Sequence, residues 1–109
     1  MTPRVRVTRG SGNVFADLGL PDPEARLAKA ELAARINTVL EQRELTQALA
    51  AEVLGIDQPS VSKLARGKLR GFSVERLIGF LRALSHDVEI RVSAAPRRRL
   101  GHLAVQSTV

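Results

Sequence analysis

Apolar positions along the chain follow two different periods, and the point where the period changes marks the end of the helical part. From Pro23 to about Gln42, Leu32, Ile36, Val39 and Leu40 recur three and four apart, the spacing that lines one face of an α-helix. Glu24, Glu31 and Glu41 fall on its polar side. Asp22 is placed to cap this helix, with Pro23 at the first helical position, where no N–H partner is needed, and Glu24 in the first turn. Residues 47 to 66 carry two shorter helical stretches. Ala50, Ala51 and Leu54 point inward from the first, Val61 and Leu64 from the second, and Gly55 with Ile56 makes the corner between them. Thr46 and Asp57 are their N-caps. A fourth stripe, Val74, Leu77, Ile78, Leu81 and Leu84, follows the cap Ser73, leaving Phe80 off its centre and free for a contact with another copy. After Ser85-His86-Asp87 the period falls to two. Val88, Ile90 and Val92 alternate with Glu89 and Arg91, which predicts a strand at about 87–92.

Two short helices joined at a tight glycine corner read as a helix-turn-helix, the arrangement that sets its second helix in a DNA major groove. Gln58, Pro59, Ser60, Ser62 and Lys63 are then left on the outer side of that second helix. Their chemistry suits base edges. Gln58 is a candidate for bidentate reading of adenine, Lys63 for guanine or a phosphate, Ser60 and Ser62 for bases or backbone, and Pro59 for apolar contact with a thymine methyl. Arg66, Lys68 and Arg70 crowd the loop that follows, with Gly67 as the helix C-cap, and are placed for the sugar-phosphate backbone. A single strand cannot satisfy its own backbone. Val88, Glu89, Ile90, Arg91 and Val92 are therefore expected to pair with their symmetry mates in a homodimer, setting two recognition helices for half-sites about 34 Å or a multiple apart.

Charge sharpens this picture once it is located. The formal net charge is +6, yet residues 14 to 92 hold eleven Lys/Arg against eleven Asp/Glu, so the excess lies in Arg4, Arg6 and Arg9 and in Arg97, Arg98 and Arg99. Within the neutral part the signs separate: residues 14 to 57 net −4, and residues 63 to 82 net +5. One region suits phosphate and another suits something basic. The division expected is a basic arm at 1–13, a helix-turn-helix domain at 14–92, and a flexible basic tail at 93–109. The arm is either disordered or a short element that folds onto a partner protein, and Phe15 to Leu20 either caps the core or, through Phe15, binds a partner.

The absence of cysteine leaves no disulfide or thiolate metal site and agrees with a reducing cytoplasm. No apolar run approaches the roughly 20 residues of a membrane helix, and the first residues lack the apolar core of a secretory signal. A cytoplasmic, nucleoid-associated protein with no membrane partner is expected. Catalysis is not. His86 and His102 stand without acidic or Cys partners at ligand spacing, and Gly10-Ser11-Gly12 lacks the Lys of a phosphate loop, so neither metal nor cofactor is expected.

The run Leu45-Thr46-Gln47, Ala51, Leu54-Gly55-Ile56, Gln58 to Leu64 and Arg66-Gly67-Lys68 resembles the Cro/cI-type (XRE) helix-turn-helix family. The flanks Phe15-Ala16-Asp17-Leu18-Gly19-Leu20, Phe72 to Leu77 and Asp87 to Val92 look like those of HigA-type antitoxins from type II toxin-antitoxin operons. The resemblance spans roughly residues 14 to 92. It implies a mainly α, five-helix Cro/cI-like domain with the C-terminal β-strand pairing in a dimer, and it implies that Gln47 bonds a DNA phosphate. It further implies two activities in one molecule: binding double-stranded operator DNA to repress its own operon, and neutralising a small basic RelE/HigB-like toxin. The acidic side of the first helix, with Asp17 and Asp22, is either a docking surface for that toxin or a solvated face. A stand-alone dimeric XRE-family repressor shares the same core and is the alternative. Nonspecific RNA or acidic-surface binding through the arginine-rich ends is a third reading.

Overall fold

The computed structural model describes residues 23–96 and 100–108. The basic arm, the Phe15 to Leu20 cap, the Asp22 N-cap and Arg97, Arg98 and Arg99 lie outside the described residues. Four helices are present among those described: α1 (Pro23–Gln42), α2 (Gln47–Leu54), α3 (Gln58–Ala65) and α4 (Val74–Ala83). α1 packs against α4 and α3, and α2 packs chiefly on α3. Each helix forms where a local apolar stripe and a cap coincide. The stripe of α1 is buried throughout at Leu32, Ile36, Val39 and Leu40, and those side chains meet Leu54, Leu64, Leu77 and Leu84 in one core.

Polar ties fix how the helices stack. Asn37 Nδ2 on α1 donates to the Leu64 carbonyl at the end of α3 (3.1 Å), and Arg43 Nη2 donates to the Leu84 carbonyl at the end of α4 (2.7 Å). Both bonds reach carbonyls at helix C-termini, which lack the usual i+4 partner. No buried side-chain polar atom of the described residues lacks a partner.

Three expectations are corrected here. Among the described residues there are four helices, not five, and no strand. The count of five came with the family resemblance, whereas four segments of the described residues carry a helical stripe. The stretch 87–92 has no regular secondary structure and no ladder among the described residues. Val88 rests half-buried against the core, and Ile90 and Val92 are 67% and 70% exposed. Alternation of apolar residues favours an extended conformation, but a strand needs backbone partners, and the described residues supply none there. The third correction concerns Phe80. Its ring is buried and meets Phe72 edge to face, with centroids 5.9 Å apart, so it serves the core rather than a surface contact.

Beyond Ser93 the chain returns to the start of α1. There the Leu103 N–H donates to Glu24 Oε1, His102 Nδ1 lies 2.6 Å from Glu24 Oε2, and Val105 packs partly buried on the core. No helix of the described residues is long and apolar enough to cross a membrane.

Candidate nucleic-acid interface

The corner between α2 and α3 is set by backbone conformation. Gly55 has φ +72°, the left-handed region that β-carbons disfavour, and a Cβ built there meets nothing within 4 Å. The glycine is thus required for its dihedral, not for lack of room. The N–H groups of Gly55 and Ile56 both return to the Ala51 carbonyl, at 2.8 and 3.0 Å, which closes α2 as the chain turns. Ile56 then packs on the core. Gly67 ends α3 in the same manner, with φ +73°, Lys68 N donating to Lys63 O (2.9 Å) and Gly67 N to Leu64 O (3.1 Å). Chain direction into the basic loop is fixed by this pair of bonds.

Caps start both helices. Thr46 Oγ1 accepts from Leu49 N (3.1 Å), and Asp57 Oδ1 accepts from Ser60 N (2.8 Å). Ser60 holds the Asp57 carboxyl below its usual range, and the positive charges of Lys63 and Arg76 act in the same direction. A folded-state pKa below the unfolded one means a stabilising contribution that is full above the ordinary carboxylate range and lost as pH falls through the folded value. Replacement by Asn keeps a cap of similar quality but removes the titration. Wild type is therefore expected to be more stable than Asp57→Asn near neutrality, and the two melting curves should converge below about pH 4. A gap between them that persists unchanged well below that pH would show that the carboxylate charge adds nothing to the cap.

With α3 anchored by buried Val61 and Leu64, its other side is open. Gln58, Pro59 and Lys63 are exposed, while Ser60 and Ser62 are half-buried. Gln47, in the first turn of α2, is exposed as well. Arg66, Lys68 and Arg70 are all exposed in and beside the loop that leaves α3, with Arg66 Nε donating back to the Ser62 carbonyl at 3.3 Å. Helix α3 and its exit loop thus carry every residue of the expected DNA surface except Gln47. The residues expected to pair in a dimer, Val88 to Val92, form a separate segment without regular secondary structure.

The structure adds one residue that the sequence reading passed over. Arg76, in the first turn of α4, lines an open cleft with Glu52, Asp57, Gln58 and Ser60. Its signal was available, because a cation in a helix's first turn opposes the helix dipole and calls for some other support. That support is aromatic: the guanidinium carbon lies 5.2 Å from the Phe72 ring centroid and 5.6 Å from that of Phe80.

Two capped short helices about a left-handed glycine, the second exposing polar side chains and leading into a cationic loop, define a helix-turn-helix DNA-binding domain. The helix-turn-helix domain family matches residues 14–93 of the chain. A solved structure named as an XRE family transcriptional regulator is 48% identical, with a TM-score of 0.73, and the match covers 80% of this chain and 99% of that one. The chain belongs to the XRE family of helix-turn-helix proteins. No curated protein matches it. The family and the neighbour indicate a DNA-binding regulator rather than an enzyme.

Proposed function

We propose that the protein is a sequence-specific repressor that reads duplex DNA with α3 and grips the backbone with the loop after it. The observation carrying this reading is that Gln58 and Lys63 stand exposed on a helix whose opposite side is wholly committed to the core. Gln58 reads adenine, Pro59 touches a thymine methyl, and Lys63 takes guanine or a phosphate. Ser60 and Ser62 add shorter contacts to bases or backbone. Gln47, Arg66, Lys68 and Arg70 bind phosphates and set the register. Two copies acting together is part of the proposal, with the exposed Ile90 and Val92 as the apolar surface available to a second copy.

Repression by the chain alone is preferred over toxin neutralisation. The HigA-type likeness finds no support in the comparisons, and Glu24, one of the acids assigned to a toxin, is engaged within the chain by His102 and Leu103. Glu31 and Glu41 are exposed and are read as solvated.

The test is selection of a preferred duplex from a random pool, followed by competition against a scrambled duplex. Gln58→Ala is expected to lose about 1 to 3 kcal/mol of discrimination at one base position with an unchanged melting temperature. Equal discrimination by wild type and variant would remove Gln58 from the reading surface. Failure of wild type to enrich any sequence would refute the proposed function.

A further inference from the structure

Arg76 sits beside the start of the recognition helix without belonging to it, and its surroundings raise the question of what it is held there to do. Its partners are two buried rings. Phe72 and Phe80 are 3% and 5% exposed and are locked edge to face, so the surface they offer the guanidinium is rigid. A cation–π contact draws on the charge of a guanidinium and uses none of its N–H donors, so these stay available to planar or tetrahedral oxyanions. Among the described residues no carboxylate forms an ion pair with Arg76, and the side chain is exposed.

Three costs would have to be met if this cation were only structural. It opposes the dipole at the start of α4, where Glu75, one residue earlier, is the residue type favoured. It restricts a long side chain that ordinarily keeps its rotamer freedom at a surface. It also leaves its donors to solvent. An anion that arrives there finds the ordering already done and an exposed cation to meet it. The cleft it lines contains Gln58 and Ser60, the first turn of the helix proposed to enter the major groove. A backbone phosphate flanks every base in that groove. Asp57 and Glu52 border the same cleft, and without a cation their charges would repel such a phosphate.

We propose that Arg76 is a phosphate-binding residue of the DNA interface, pre-positioned by the rings of Phe72 and Phe80 to grip the strand beside the bases that Gln58 reads. This assignment rests on the DNA-reading function proposed above and extends it to α4. It gives α4 a part in recognition in addition to closing the core.

The experiment is a fluorescence-anisotropy titration of the full chain on two probes, a duplex enriched from a random pool and a scrambled duplex, over a range of KCl. Wild type, Arg76→Gln, Arg76→Lys and Lys68→Gln are compared, with melting temperatures measured in parallel. Removing one phosphate contact reduces the slope of log affinity against log salt by about 0.9, equivalent to roughly eightfold weaker binding near 0.1 M salt. Arg76→Gln is expected to show this reduction on both probes while keeping the wild-type sequence preference. Arg76→Lys is expected to restore most of the slope but not all of the affinity, since an ammonium neither stacks as well nor presents a fixed fork. A lower melting temperature for Arg76→Gln with the wild-type slope on both probes would overturn the assignment and make Arg76 a structural partner of the rings. Lys68→Gln separates the two levels of failure. If wild type prefers one duplex and Lys68→Gln flattens its slope while Arg76→Gln does not, only the assignment to Arg76 falls. If wild type shows no preference for either probe, the DNA-reading function falls with it.

Discussion

Leu64→Ala will lower the unfolding free energy by about 3 kcal/mol and the melting temperature by roughly 15 °C. Leu64 has no exposed surface, and it lies in the core with Ile36, Leu77 and Leu84, each of which is equally inaccessible. Truncation removes the transfer energy of its branched end and leaves a cavity in the core. Collapse into that cavity is hindered because the Leu64 carbonyl is held by Asn37 Nδ2, which ties the end of α3 to α1. The site is therefore expected to fall well inside the 2–5 kcal/mol range of such truncations rather than at its lower edge. Sequence preference should survive below the transition, because Gln58 and Lys63 lie on the opposite side of the same helix. Chemical denaturation of both proteins at one temperature gives the number directly. A loss below about 1 kcal/mol would mean that α3 is held by its neighbours' backbone rather than by this side chain.

Where the determinants are local, the sequence was readable in detail. Thr46, Asp57 and Ser73 each cap the helix expected of them, because a short oxygen-bearing side chain three residues before a free N–H is a complete device in itself. The left-handed glycines at 55 and 67 are equally self-contained. Ser85 shows the limit of this reasoning. It takes φ +64° just past the end of α4, with Ser85 N donating to Arg82 O and His86 N to Leu81 O, so the glycine-type helix ending forms without glycine. No residue type announces it. Phe80 was misplaced because a stripe's edge and its centre differ by a fraction of a turn, and the ring's partner, Phe72, lies before the helix begins.

Nonlocal pairing was the part that could not be read. Alternation at Val88, Ile90 and Val92 is a statement about side chains, whereas a strand is a statement about backbone partners, which the residues themselves do not name. The candidate DNA surface divides in the same way. Gln58, Pro59, Ser60, Ser62 and Lys63 come together because one helix carries them, and Arg66, Lys68 and Arg70 because one loop does. Arg76 joins them only because α4 packs on α1 and α2, which brings it to the cleft at the start of α3, and Asp57 senses its charge there. Charge segregation in sequence had pointed to the region 63 to 82, but which of its cations share a surface with Gln58 depends on tertiary contacts.

Replacing Arg66, Lys68 and Arg70 together by Gln is expected to have the largest effect on binding of any change that leaves the fold alone. All three side chains are exposed, and the one internal bond lost, from Arg66 Nε to the Ser62 carbonyl, is a long surface contact at 3.3 Å. Stability should stay within about 0.5 kcal/mol of wild type. Gly67 and the paired bonds that close α3 are untouched, so the loop keeps its path. If each cation displaces one condensed counterion, the slope of log affinity against log salt falls by about 2.7, which at 0.1 M salt corresponds to roughly 500-fold weaker binding. The loss should be nearly equal on preferred and scrambled duplexes, because phosphates carry no sequence information. That equality separates the loop from Gln58, whose removal should reduce preference with little change in salt dependence. The opposite pattern, preference lost at constant slope, would place the loop over base edges and require α3 to approach the groove from its C-terminal end.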